Sequence, residues 1–262
     1  MNTTHIHVDD VNRIAREAGK ILMKYRGQVK AVFKSDQSPV TKADQESSDL
    51  IIQELKSLTP SIPVVSEEQD MKTNREIVRT SKTYWLTDPL DGTKSYIDGY
   101  DGFGVHIALI ENGRPVLGAA FFPAQNGGQG KLYYGDARTG AWVKNGEEAP
   151  LRLKIKKTLS NSFKTAMGWR DIPWDEKCKP VRAVGGARLC ITAEGQSELA
   201  QFNGSFSFWD VAAGHAILRA AGGEFIDMKT YKPIRYDSDS LITPPAYGGP
   251  SKALIKYLSK KI

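Results

Sequence analysis

Apolar positions in the first sixty residues recur at helical spacing. Val11, Ile14, Ala15, Ala18, Leu22 and Tyr25 fall on one face, which predicts an amphipathic opening helix with Asp9 or Asp10 as its N-cap. Leu50, Ile51, Leu55 and Leu58 repeat the pattern in a second helix that Pro60 ends. Beyond it the apolar residues gather into short runs: "IPVVS" and "TYWLT" read as strands. "GFGVHIALI" and "RPVLGAAFF" flank Asn112-Gly113, a hairpin signal, and "KLYYG" and "GAWVKNG" extend the same sheet. Roughly residues 1–150 therefore predict helices packed on an antiparallel sheet. After Pro150 the texture changes to short strands alternating with helices: "VRAVGG", a helix through "RLCITAEG", the helical "FWDVAAGHAILRAAGG" and then "EFIDM". No Gly/Ser linker separates the halves, so 1–150 and 151–262 are expected to be two subdomains sharing a long interface.

Composition fits a globular chain of 262 residues with 40% hydrophobic residues to build its cores. The first twenty residues lack the apolar centre of a secretion signal, and no run of about 18 apolar residues occurs. The expected location is therefore cytoplasmic, with no membrane partner. Cys178 and Cys190 are too few for a disulfide framework and lack metal-type CxxC spacing, so both are expected to be reduced structural thiols. The net charge of +6 is compatible with a nucleic acid, an acidic surface or a small anionic substrate. The densest basic runs, "LRLKIKK" and "SKALIKYLSKKI", read as solvated faces.

The acids are more informative. In "YWLTDPLDGTKSYIDG", Asp88 and Asp91 stand at the end of a strand, Pro89 holds Asp88 extended, and Gly92-Thr93 permits a tight turn. Two carboxylates about 4 Å apart repel by roughly 1 kcal/mol in water and roughly 4 kcal/mol at an effective dielectric near 20, so such a cluster calls for a cation or a proton. Hard carboxylate oxygens suit Mg²⁺, and outward N–H groups in the turn suit phosphate. Taken singly, each acid has an ordinary explanation: a cap or Asx-turn for Asp88 and Asp91, a solvated loop for Glu67 and Glu68, an N-cap for Asp210, and a capping box for Thr41-x-x-Asp44.

Taken in order, "KSDQSPVTKAD", "SEEQ", "DPLDGTKSY" and "WDVAAGHAILRAAGG" resemble the inositol-monophosphatase-like superfamily of Mg²⁺-dependent phosphomonoesterases, over about residues 8–227. Within it the forms look most like the CysQ-type 3'(2'),5'-bisphosphate nucleotidases, which convert adenosine 3',5'-bisphosphate to AMP. The resemblance implies a layered αβαβα sandwich, with an antiparallel N-terminal sheet and a smaller mixed C-terminal one. It implies two or three Mg²⁺ ions on Glu67, Asp88, the Leu90 carbonyl, Asp91 and Asp210. It implies that Asp44 and Thr93 orient and deprotonate the attacking water, and that Gly92 and Thr93 cradle the phosphate. The implied partner is a small phosphorylated substrate, a nucleotide bisphosphate, bound by a monomer or homodimer without nucleic acid.

The D-x-D-G-T motif of the haloacid-dehalogenase superfamily is close but different. Here Pro89 and Leu90 both separate the acids, and the extra residue breaks the alternation that aims both carboxylates in that motif. One segment departs from the nucleotidase pattern: "VGGARLC" stands where Gly-Ser-Ser-x-Lys is usual. Gly185 and Gly186 keep backbone N–H groups, and Arg188 in the Lys position is a candidate phosphate partner or else a solvated helix residue. The lost hydroxyls leave inositol-phosphate, histidinol-phosphate and sugar-phosphate substrates as alternatives. A non-catalytic basic nucleic-acid-binding or regulatory protein is the alternative of another class. His106 and His215 read as structural, Asp98 as a turn residue, and Lys34, Asp36 and Lys42 as flanks of a loop able to close over substrate.

Overall fold

The computed structural model describes residues 6–28, 32–33, 39–169, 171, 173, 176–250 and 254. Its elements, in chain order, are helix α1 (Val8–Tyr25), the short strands β1 (Val32–Phe33) and β2 (Pro39–Val40), helix α2 (Lys42–Leu58), strand β3 (Val64–Ser66) and helix α3 (Met71–Thr80). Strand β4 (Thr83–Asp91) and the short helix α4 (Thr93–Ile97) follow. Next come β5 (Gly104–Glu111), β6 (Arg114–Phe122), β7 (Lys131–Asp136), β8 (Gly140–Asn145) and β9 (Leu151–Leu153). The remainder comprises β10 (Phe163–Met167), β11 (Cys178–Arg182), α5 (Ala187–Glu194), β12 (Leu199–Phe202), β13 (Phe206–Ser207), α6 (Phe208–Ala220), β14 (Glu224–Asp227), β15 (Ile242–Thr243) and β16 (Ala246–Gly249).

Strands β3 to β9 form a seven-stranded sheet in sequence order. It is antiparallel as expected except at β3 and β4, which run parallel because α3 carries the chain back between them. Asn112 and Gly113 both have positive φ, so the β5–β6 hairpin has the primed turn that its Asn-Gly signals. The second sheet is mixed, in the order β11-β10-β12-β16-β14.

Strand β5 shows why its sequence is apolar throughout rather than alternating. Val105, Ile107 and Leu109 pack with α1 residues on one face, while Ala108 and Ile110 join the core beneath α6 on the other. Helix α6 packs on β4 to β8 and also against β14 and β16, so it lies between the two sheets. That position explains its composition: Val211, Ala212, Ala213, Gly214, His215, Ala216, Ile217 and Leu218 are all buried, and small residues allow close approach on both sides. Gly118 of β6 sits directly under it, where a Cβ would come within 2.5 Å of the Ala213 carbonyl oxygen. The far face of the second sheet buries Phe163, Leu199, Ile226, Tyr247 and Leu254. The layers thus run α1/α2, first sheet, α5/α6, second sheet.

Two local expectations change. Helix α1 begins at Val8 with His7 as its N-cap, and Asp9 and Asp10 lie in the first turn, where their charge meets the helix dipole instead of capping it. The buried face of α2 is Ala43, Asp44, Ser47, Ser48, Ile51 and Leu55, whereas Leu50 and Leu58 are only partly covered. Cys178 and Cys190 are free and buried, as expected. Lys34 and Asp36 lie outside the described residues. Among the described residues no helix is long and apolar enough to cross a membrane.

Candidate active site

The site forms where β3 and β4 end against α2 and the start of α6. Asp88 pairs with His106 across the β4–β5 ladder, and the next paired position is Asp91 with Gly104. One extra residue in β4 makes a bulge there. In a regular strand two residues three apart face opposite sides of the sheet, and the bulge returns Asp91 to the side of Asp88. Leu90 faces the other way, into the core under α1 and α2. The turn is then locked: Asp88 Oδ1 accepts from the Leu90 N–H at 2.9 Å, and Ser47 of α2 donates to the Pro89 carbonyl at 3.0 Å. Gly92 follows at φ +84°, where a Cβ would lie 2.6 Å from the Gly102 carbonyl oxygen. Only glycine fits that approach.

Glu67 directly follows β3, and its N–H donates to the Thr87 carbonyl at 3.3 Å, which continues the pairing with β4. Asn74 of α3 pins this strand end: its amide accepts from the Ser66 N–H and donates to the Ser66 carbonyl. Asn74 is fully buried, and no sequence pattern marks it, because a lone Asn in a polar helix has neither a motif nor a periodicity. Asp210 is the third helical residue of α6 rather than its N-cap. Ser207 is the cap, and Asp210 Oδ2 accepts from the Ser207 N–H at 3.0 Å in a capping box.

Carboxylate oxygens of Glu67, Asp88 and Asp210 all lie within 4.8 Å of one another. Burial raises the Asp88 carboxyl well above the ordinary value, and the charges of Glu67, Asp91 and Asp210 add to it. Asp210 is raised in the same way, by burial and then by Asp91 and Glu67. Asp91 is raised by burial, partly offset by His106, the Gly186 N–H and Arg188. A set of hard oxygens whose mutual repulsion opposes ionisation fits a divalent cation such as Mg²⁺.

Asp44 and Thr93 also meet. Asp44 Oδ2 accepts from the Thr41 N–H and hydroxyl, completing the expected capping box, and Oδ1 faces the Thr93 hydroxyl at 3.5 Å. That hydroxyl also lies 3.1 Å from the Leu90 carbonyl oxygen. Burial raises the Asp44 carboxyl to about 6, against the lowering effect of Thr41, and Glu68 contributes to the rise.

His106 is fully buried and belongs to this site more closely than its strand pattern suggested. Its Nδ1 lies 3.2 Å from the Asp210 carbonyl oxygen and its Nε2 lies 3.7 Å from Asp91 Oδ2. Burial lowers its pKa, against the raising effect of Asp91, and its ring lies between Asp91 at the end of β4 and the start of α6. His215, by contrast, is a core residue paired with Glu224 and Tyr236.

The glycine segment packs straight onto the acids. Gly186 N–H donates to Asp91 Oδ2 at 3.2 Å, and a Cβ on Gly185 would meet Asp91 Oδ1 at 2.2 Å. Arg188 is not solvated: it is 6% exposed and lies over the rings of Phe202 and Phe206. Its guanidinium donates to Asp171 at 3.1 Å, the Gln201 carbonyl at 2.9 Å and the Ala183 carbonyl at 3.2 Å. Asp98 is exposed at the end of α4, away from the cluster.

Beside this site, a cleft of about 1000 Å³ opens between α4, the loop after β10, the end of β11 and α5.

Comparison with known proteins places these features in a family context. The model of the inositol monophosphatase family matches residues 7–261. The chain is 34% identical over 249 residues to the 3'(2'),5'-bisphosphate nucleotidase CysQ of Escherichia coli K12, covering 90% of this chain and 97% of that protein. It is 37% identical over 232 residues to the protein of that name from Salmonella typhimurium, covering 84% and 90%. The crystal structure of CysQ from Bacteroides thetaiotaomicron, a bacterial member of the inositol monophosphatase family, superposes with a TM-score of 0.77 at 27% identity, covering 92% of this chain and 96% of that one.

Proposed function

The chain belongs to the inositol monophosphatase family, and from that premise we propose that it is a Mg²⁺-dependent phosphomonoesterase that converts adenosine 3',5'-bisphosphate to AMP and phosphate. The observation that carries the chemistry is the convergence of Glu67, Asp88 and Asp210 beside Asp91, with the Asp44–Thr93 pair next to them. Relatives named as bisphosphate nucleotidases, matched over nine-tenths of the chain, support the substrate.

Glu67, Asp88, the Leu90 carbonyl, Asp91 and Asp210 would hold the metal ions. Bound Mg²⁺ supplies a lowered water pKa and neutralises charge on the phosphoryl oxygens. The protein's part is to aim the water and receive its proton. Thr93 donates its hydroxyl hydrogen to Asp44, leaving its oxygen lone pairs to accept from the water. Asp44, raised to about 6, is basic enough at neutral pH to draw the proton through Thr93 as the water oxygen bonds to phosphorus. The ester bond breaks on the opposite side, and the ribose oxygen leaves with the bonding electron pair and takes its proton from solvent water, while Asp44 returns the proton it received to solvent. Backbone N–H groups of Gly92 and Thr93 hold the phosphate while this occurs.

Purified protein with Mg²⁺ should release phosphate from adenosine 3',5'-bisphosphate faster than from inositol 1-phosphate. The reverse ranking would move the assignment to an inositol- or sugar-phosphate phosphatase. A non-catalytic role would be supported only if neither ester were hydrolysed, since a buried acidic cluster has no use in a scaffold relieved of catalysis.

A further inference from the structure

Two of the exposed large hydrophobic residues line the same cleft from different loops: Trp169 is 72% exposed and Tyr100 is 68% exposed. The cleft begins at Lys94 and Ser95, immediately after Thr93, and its other side carries Val184, immediately before Gly185-Gly186. A phosphate held at Gly92 and Thr93 therefore has its leaving group directed into this space. Val181 and Val184 add an apolar lining.

Trp169 is presented by a braced turn. Asp171 Oδ2 accepts from the Gly168 N–H at 2.7 Å and from Arg188 Nη1 at 3.1 Å. Arg182 Nη1 donates to the Gly168 carbonyl and, at 2.9 Å, to the Asp171 carbonyl. Arg188 is itself buried and fixed by two further carbonyls, and Arg182 is partly buried, so hydrogen-bonded side chains hold both residues that flank the Trp169–Arg170 pair in sequence. A large aromatic left in water costs free energy, and one carried on a turn braced by two arginines has a surface to offer. Arg188 thus has a role different from direct phosphate binding: it holds the loop that carries the indole.

The geometry points to Trp169 as the residue that selects for a nucleobase: its indole is the face on which the base of the substrate stacks when the phosphate lies at Gly92 and Thr93. This rests on the nucleotidase reading and adds to it the source of base recognition. Stacking is tolerant of base identity because each base has a π-face, so adenine and guanine compounds should both benefit.

The test compares W169A and W169F with wild type on adenosine 3',5'-bisphosphate and on inositol 1-phosphate, together with equilibrium binding of AMP in the absence of turnover. W169A should raise KM for the nucleotide about 10- to 100-fold with kcat changed less than about twofold, and should weaken AMP binding by the same factor. It should leave kcat/KM for the baseless ester unchanged, and W169F should restore most of the loss. Equal losses on both esters, or an unchanged nucleotide KM and AMP affinity, would overturn the assignment while leaving the nucleotidase reading intact. Wild-type protein that hydrolyses inositol 1-phosphate but neither hydrolyses the nucleotide nor binds AMP would overturn both.

Discussion

The Thr93 hydroxyl lies 3.5 Å from Asp44 Oδ1, and the other oxygen of the same carboxylate accepts from Thr41 at the start of α2. One carboxylate thus serves the helix cap with one oxygen and the reaction with the other. The two roles separate by mutation. D44N should lower kcat by about 10²–10⁴ with little change in KM, as for a lost general base. T41A should cost about 1 kcal/mol of stability, the usual worth of a cap, with a much smaller effect on kcat. Steady-state kinetics and chemical denaturation of both variants check this; equal losses in kcat would place the catalytic effect in the helix start.

Asp44 also makes a pH prediction for the metal-free protein. Burial raises its carboxyl from the ordinary value to about 6, so between about pH 4 and pH 6 the folded state holds a proton that the unfolded chain has released. Stability from this group is therefore full at low pH and falls as pH rises, by roughly 2–3 kcal/mol in total. Unfolding free energies of wild type minus D44N, measured in chelator across that range, should decline and then level off. A difference that is flat with pH would rule out the raised carboxyl. Glu224, lowered to about 2 by its pairing with His215, has the opposite sign and cancels in the difference.

Removing one acid from the cluster should help the apo fold and harm metal binding. D88N keeps an oxygen to accept from the Leu90 N–H but removes a charge that faces Glu67, Asp91 and Asp210. At pH 8 in chelator D88N should be more stable than wild type by on the order of 1–4 kcal/mol. Wild type should gain thermal stability with added Mg²⁺ by mass action, and D88N should gain little while losing turnover. Equal Mg²⁺ responses in the two proteins would remove Asp88 from the metal site.

Arg188 is engaged on the protein side by one carboxylate and two carbonyls. R188K keeps the charge but cannot reproduce that fork, so it should lose roughly 1–3 kcal/mol of stability. R188A, which strips Asp171 of its cation, should lose more, about 3–5 kcal/mol. A variant R188K with unchanged thermal stability and a raised Ki for inorganic phosphate as inhibitor would instead make the guanidinium a direct phosphate ligand.

Much of this protein was readable from local pattern. Helical spacing placed α1 and α2, Asn112-Gly113 placed a primed hairpin turn, and the Thr41–Asp44 capping box followed from a four-residue signature, because each depends on neighbours within a turn or two. The acidic motifs could be recognised for the same reason: a strand end followed by Asp-Gly-Thr is a local arrangement.

What depended on distant parts of the chain was not readable. Asp88 and Asp91 share a face only because β4 bulges against β5, and that register is decided by pairing with residues more than a dozen positions away. The small polar stripe of Asp44, Ser47 and Ser48 has helical spacing but acquires meaning only when it docks on the Pro89 turn and on Ser66. Arg188 looked like a solvated residue or a phosphate ligand until burial against Phe202, Phe206 and Asp171 removed its solvent. The sequence alone determined which acids and turns exist, since those are set by short-range sterics and hydrogen bonding. Only the tertiary structure decided which of them converge, because burial and strand register bring together groups that the chain itself keeps far apart.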